Sequence, residues 1–225
     1  MRRPRKESAK ETCAPPLQEC PVCRGSARLF HARRWQVYYD CGGCGAISLQ
    51  RAHLPQPRDE KQRYLQHRND VCDPRYRAFV EPLVRGVQRG FGPNQQGLDF
   101  GSGTGPVAAR LLEEAGYHLR LWDPFFAPRR EVLEQHYDFI VCCEVMEHFH
   151  HPDREFALLR TLLRPQGALF CMTGVYDPSV DFGSWAYKND TTHVVFYRRE
   201  TLAWIARRHG FSRVEIEGRL ITLHG

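Results

Sequence analysis

Between Leu98 and Asp123 the chain reads as a short apolar strand, a glycine-rich turn, a helix and a second strand ending on an acid, and few folds accommodate that order. The turn is Asp99-Phe100-Gly101-Ser102-Gly103-Thr104-Gly105. Glycines at alternate positions let the backbone take left-handed conformations and let a ligand come close to the main chain. Val107, Ala108, Leu111, Leu112 and Ala115 then mark one helical face up to Gly116, and His118 to Trp122 reads as the second strand. Strand, helix and parallel strand form a right-handed crossover, which commits the chain to an open α/β sheet with its ligand outside the carboxyl ends of the strands.

Two features separate the turn from a dinucleotide fingerprint, G-x-G-x-x-G. The third glycine comes one residue early, and Asp99 stands two residues before the first, where a carboxylate repels a pyrophosphate and attracts an ammonium. The stretch resembles the cofactor loop of class I S-adenosylmethionine-dependent methyltransferases, in which an acid-x-G-x-G-x-G turn follows the first strand. The resemblance implies a Rossmann-like doubly wound sheet with a terminal antiparallel hairpin. It implies S-adenosylmethionine as cofactor, held by Asp99, Phe100, Gly101, Gly103 and Gly105, with Asp123 at its ribose beside Pro124. Taken alone, Gly-Ser-Gly-Thr-Gly is also an ordinary flexible loop, so the downstream segments matter.

Tyr137 to Cys143 is a buried-strand pattern, followed directly by Glu144-Val145-Met146-Glu147-His148. This resembles the E-V-x-E-H element of many small-molecule methyltransferases, with Pro152 as its trailing proline, and implies Cys143 and Glu144 at the cofactor. Thirteen residues separate Asp123 from Tyr137, enough for a short helix over Arg129 to Gln135 but not for a further helix and strand, so the usual third strand is expected to be missing. Arg164-Pro165-Gln166-Gly167 resembles the family's L-R-P-G-G turn. Thr192-His193-Val194-Val195-Phe196-Tyr197 resembles an element of the ubiquinone-biosynthesis-like methyltransferase group, and Phe211 to Leu223 reads as the final hairpin around Gly218. No Asn-Pro-Pro-Tyr-like element and no Pro-Cys pair appears, which sets aside adenine amino methylation and cytosine carbon methylation by resemblance.

Nine cysteines include two C-x-x-C pairs, Cys20/Cys23 and Cys41/Cys44, seventeen residues apart. That falls inside the spacing of roughly 15–20 residues that marks a tetrahedral zinc site. Four thiolates leave no open coordination position, so Zn2+ is expected to be structural; iron in a rubredoxin-like site is the rival metal. Residues 16–50 are therefore expected to form a zinc ribbon. Of the other cysteines, Cys142, Cys143 and Cys171 fall in apolar runs and read as packing residues.

The net charge is +6, but basic residues cluster only in the first ten, so residues 1–15 are expected to be a solvated basic tail. No apolar run approaches the roughly 20 residues that span a bilayer, and the N-terminus lacks the apolar stretch of a signal peptide. The expected location is cytoplasmic, with no membrane partner. Residues 51–69, charged and carrying Pro55 and Pro57, read as a linker, and 70–225 as the methyltransferase domain, opening with a helix at Asp73-Pro74. In methyltransferases with an N-terminal ribbon a similar Tyr-x-x-His-x-Asn run precedes that helix, which implies that Tyr64 and His67 cap the cofactor.

Methyl transfer is an in-line displacement that depends chiefly on positioning, and a base is needed only if the acceptor loses a proton. His148, His193 and Glu144 are the candidates for it, each expected on a loop at the carboxyl face; each is equally suited to a structural or substrate-binding role. The loop from Tyr176 to Asn189, rich in aromatics, reads either as a lid or as a surface loop packed by its own side chains. The expected activity is methyl transfer to a small metabolite or natural-product precursor. The alternatives are an RNA methyltransferase that positions nucleic acid with its ribbon, and a non-catalytic binding module that kept the fold.

Overall fold

Two sheets of different origin meet in this chain, and the way they meet places the functional cavity. The computed structural model describes residues 17–33, 36–67 and 69–225; the basic tail expected at 1–15 lies outside them. The first strands are β1 (Gln18–Glu19), β2 (Ser26–Arg33), β3 (Gln36–Cys41) and β4 (Ile47–Leu49). They carry both cysteine pairs on their turns and form an antiparallel sheet in chain order.

The segment expected as a linker contains a helix, α1 (Pro57–Gln66). Pro57 at its first position and Asp59 and Glu60 in its first turn supply the start signals. An apolar stripe is absent because the helix does not pack on the core: Leu65 is 60% exposed, and Glu60 and Tyr64 face a cavity. Then α2 (Pro74–Gly90) begins as expected, with the Asp73 carboxylate accepting from Arg75 N–H at 2.9 Å. Val80, Leu83, Val84 and Val87 bury one face of it against the main sheet.

The main sheet comprises β5 (Gln96–Phe100), β6 (His118–Trp122), β7 (Tyr137–Cys143), β8 (Leu163–Met172), β10 (Arg213–Glu217) and β11 (Leu220–His224), in the order β10-β11-β8-β7-β5-β6. Strands β5 to β8 are parallel, and β11 runs antiparallel to both β8 and β10. Connecting helices are α3 (Val107–Glu114), α4 (Pro152–Leu162) and α5 (Arg199–His209). Among the described residues no strand lies beyond β6; between β6 and β7 the chain makes an Asp123 to Ala127 bridge and a 3-10 turn over Arg130–Glu134. The expected short helix is thus a 3-10 turn, and α4 ends at Leu162, after which β8 starts immediately.

The ribbon is not a separate module on a tether. Strand β9 (Val195–Phe196), from the chain between β8 and α5, pairs with β4 through Ile47 to Phe196 and Ser48 to Val195, and becomes the fifth strand of the ribbon sheet. Cys20, Val22, Tyr38 and Ile47 share one apolar core with Phe156, Phe196, Leu202 and Ile205. Arg198, 8% exposed, closes the junction: its Nη1 donates to the Asp40 carboxylate at 2.7 Å and to the Gly45 carbonyl at 2.8 Å.

The aromatic loop settles into this junction. Phe182 and Trp185 pack against Phe196, and Phe182 against Tyr38, and no residue of 176–189 lines the main cavity. The lid reading is therefore overturned: these rings gain more by filling the seam between ribbon and core than by standing over an open cavity. Replacing Arg198 by Met removes charged hydrogen bonds from a buried seam. The urea midpoint should fall by the equivalent of about 2 kcal/mol with an unchanged m value; an unshifted midpoint would show that the clasp contributes nothing.

Candidate functional site

At the carboxyl end of β5 the chain cannot continue as strand, because Gly101 sits at φ +84 and its N–H turns back to the Trp122 carbonyl at 2.8 Å. A Cβ on Gly101 would run into the Val145 side chain, and one on Gly105 into the Asn69 carbonyl. The turn is thus pressed between the loop after β7 and the segment before α2. Asp123, at the end of β6, fixes it: its carboxylate accepts from Gly103 N–H at 3.0 Å, Phe125 N–H at 2.8 Å and Phe126 N–H at 3.0 Å.

Above the turn lies a cavity of about 630 Å3. Tyr64, His67, Asp99, Phe100, Gly101, Gly103, Gly105, Asp123, Pro124, Cys143, Glu144, His148 and His193 all line it. The structure therefore gathers every cofactor and base candidate named from sequence around one space, with α1 as its roof. Asp99 is 3% exposed, and burial pushes its carboxyl up to about 7, with the Asp123 charge acting in the same direction.

The carboxylates after β7 form a second layer. Glu144 adopts φ +53, a left-handed backbone rare for a non-glycine residue, which swings its side chain out of the strand direction. Burial and the nearby Glu147 raise its carboxyl to about 7, against the pull of Arg219. Glu147 is fully buried; Thr173 Oγ1 donates to it at 3.0 Å, and the single proton of the Tyr187 hydroxyl lies between Glu147 and Glu144, the latter at 3.2 Å, and can serve one of them at a time. Glu147, Tyr187 and Arg219 were not among the expected site residues. Glu147 had a signal, since it is the second acid of E-V-x-E-H; Tyr187 and Arg219 arrive from segments with no local motif.

The two histidines among the base candidates are fixed by their backbone partners. His148 Nδ1 lies 2.8 Å from the Thr192 carbonyl and His193 Nδ1 lies 2.7 Å from the Tyr187 carbonyl. A carbonyl only accepts, so each Nδ1 carries a proton and each neutral ring keeps a lone pair on Nε2. The rings sit 4.8 Å apart, and His193 Nε2 is 3.9 Å from the Glu147 carboxylate. Burial lowers both, His148 to about 4. Asp190 anchors the roof: although burial opposes its charge, bonds from His67, Arg63 and Thr192 hold it far below the usual carboxylate range.

In the ribbon, the Sγ atoms of Cys20 and Cys44 are 3.6 Å apart and those of Cys23 and Cys41 3.3 Å, and all four lie within 4.8 Å of one another. Tetrahedral Zn–S bonds of about 2.3 Å require thiolates about 3.8 Å apart, so the four fit one ion. Gly25 N–H points at Cys23 Sγ at 3.4 Å, and Gly45 N–H donates to the Cys41 carbonyl.

A family model described as a methyltransferase domain matches residues 60–216. The chain belongs to the methyltransferase family. No curated protein matches it in sequence. Among solved structures, this methyltransferase is similar to a Burkholderia thailandensis 1,6-didemethyltoxoflavin-N1-methyltransferase with bound 1,6-didemethyltoxoflavin and S-adenosylhomocysteine. Identity is 18%, coverage is 87% of this chain and 98% of that one, and the TM-score is 0.54. It is also similar to a SAM-dependent methyltransferase from Archaeoglobus fulgidus, at 22% identity over 63% of this chain and 72% of that one, with a TM-score of 0.51. The shared fold is that of class I methyltransferases.

The buried imidazoles give a direct measurement. Ring nitrogen chemical shifts of the methyltransferase should show Nδ1–H tautomers for His148 and His193, with His148 staying neutral until the pH approaches about 4; an ordinary midpoint near neutral pH would contradict this burial.

Proposed function

We propose that this methyltransferase moves a methyl group from S-adenosylmethionine to a small-molecule acceptor. The observation that carries the reading is the pairing of Asp99 and Asp123 on one glycine turn at the floor of the cavity. A buried carboxylate with no cation beside it suits a ligand that brings an ammonium, and Asp123, held by three N–H groups, keeps lone pairs free for ribose hydroxyls. Phe100, Gly101, Gly103, Gly105, Pro124, Cys143 and Glu144 would shape the rest of that subsite, with Tyr64 and His67 above it. His148 and His193 offer Nε2 lone pairs to an acceptor proton.

The ribbon would hold one Zn2+ through Cys20, Cys23, Cys41 and Cys44, as a structural ion with a closed shell. No observation favours a nucleic-acid acceptor: Arg63 and Arg219, beside the cavity, are engaged by Asp190 and Glu144. Among the described residues no helix is long and apolar enough to cross a membrane.

Calorimetric titration with S-adenosylmethionine should give micromolar binding, weakened about tenfold or more by Asp123→Ala, since a multiply bonded carboxylate is lost. Absence of binding by folded wild type would sink the reading. An ammonium favours ionised Asp99, so ligand binding should pull its pKa down from about 7. Affinity should then be full above that pH and fall by up to about tenfold per pH unit below it; a flat profile would place the ammonium elsewhere. Metal analysis should find one zinc per chain, and chelation should lower the melting temperature, because the ribbon shares its core with the rest of the fold.

A further inference from the structure

The charge of the cavity is opposite to that of the protein. The chain carries +6, yet the lining residues include the carboxylates of Glu60, Asp99, Asp123, Glu144, Glu155 and Asp190 and, among the described residues, no lysine or arginine. Under the methyltransferase reading, Asp99 and Asp123 face the methyl donor, Arg219 neutralises Glu144, and Arg63 neutralises Asp190. Glu60 and Glu155 remain. Among the described residues Glu60, 8% exposed, is bonded by His150 Nε2 at 3.1 Å, and Glu155 makes no ion pair, with Arg154 as its neighbouring charge. Burial raises the Glu155 carboxyl against the pull of Arg154, and a bound cation would oppose that shift further.

Two independent observations point to the same occupant. His193 is 8% exposed and its ring lines the cavity; among the described residues its Nε2, 3.9 Å from the Glu147 carboxylate, makes no hydrogen bond, and neither does that of His148. The polar groups facing the cavity from α1, α4 and the loop after β7 therefore mostly accept hydrogen bonds. The apolar walls beside them are aromatic, with Tyr64 6.0 Å from Phe125 and 5.3 Å from His148. Carboxylates, imidazole lone pairs and ring faces together suit a donor-rich cation and repel carboxylates and phosphates.

We propose that the methyl acceptor is an amine that enters as its ammonium and is selected by Glu60 and Glu155; this rests on the methyltransferase reading. A bound ammonium has no lone pair, so one proton must first leave it; Nε2 of His193, 3.9 Å from the Glu147 carboxylate that would balance an imidazolium, is placed to take it. The freed nitrogen pair then bonds to the methyl carbon as the carbon–sulfur bond breaks, and that electron pair stays on sulfur as a thioether.

The test uses the full zinc-loaded chain saturated with S-adenosylhomocysteine and titrated with two probes of matched size, tyramine and 3-(4-hydroxyphenyl)propionate. Tyramine should bind at least about tenfold more tightly. The double variant Glu60→Gln/Glu155→Gln should lose most of that preference, with S-adenosylhomocysteine affinity within about twofold of wild type. Because Glu60 is buried, Glu155→Gln alone serves if the double variant does not fold, and it should narrow the preference in the same direction. Equal binding, tighter binding of the propionate, binding of neither probe, or an unchanged preference in the variants overturns the proposal. Failure of S-adenosylhomocysteine itself to bind is a separate result that removes both readings.

Discussion

Three backbone N–H groups converge on the carboxylate of Asp123, and the geometry of the cavity follows from that convergence. One donor comes from the glycine turn after β5 and two from the chain after β6, so a single side chain sets the distance between the two strand ends. Because an ionised carboxylate offers about four acceptor sites, it can hold these donors and still face a ligand. The turn is then a preformed floor, and the remaining walls of the cavity arrive from elsewhere: Glu144 after β7, His193 before β9, and α1 from outside the sheet.

The roof and the far wall depend on the ribbon. His193 and Tyr187 stand just before β9, and β9 is fixed by its pairing with β4 and by Arg198. A chain of aromatic contacts runs from Tyr38 through Phe182 and Phe196 to Tyr187, whose carbonyl sets the tautomer of His193. The four cysteines thus support a surface that reaches the base candidates through packing, without contributing a ligand atom to the cavity.

What the sequence disclosed and what it hid divide along a physical line. The strands β5, β6 and β7, the helices α2 and α3 and the cysteine pairs were legible because their signals are local: glycine and proline stops, an apolar stripe, a fixed ligand spacing. Helix α1 was hidden because its inward face covers a polar cavity, so the usual apolar period is missing. The aromatic loop was ambiguous because a wedge and a lid need the same residues, and only the position of Tyr38 decides between them. Tyr187 and Arg219 were hidden because their roles arise from contacts made across 43 and 75 residues to Glu144. In Glu147 the motif was visible, but its complete burial, and hence its place behind the cavity instead of in it, belongs to the packing.

The pairing of β4 with β9 also bears on what counts as a unit in this chain. The family match begins at residue 60, after the ribbon strands. Cut there, β9 would become a bare edge with unpaired backbone donors, flanked by the exposed rings of Phe182 and Phe196, which is the pattern that invites strand addition and aggregation. The cysteine-bearing strands therefore protect an edge of the fold, and the boundary drawn by family resemblance cuts through a paired sheet.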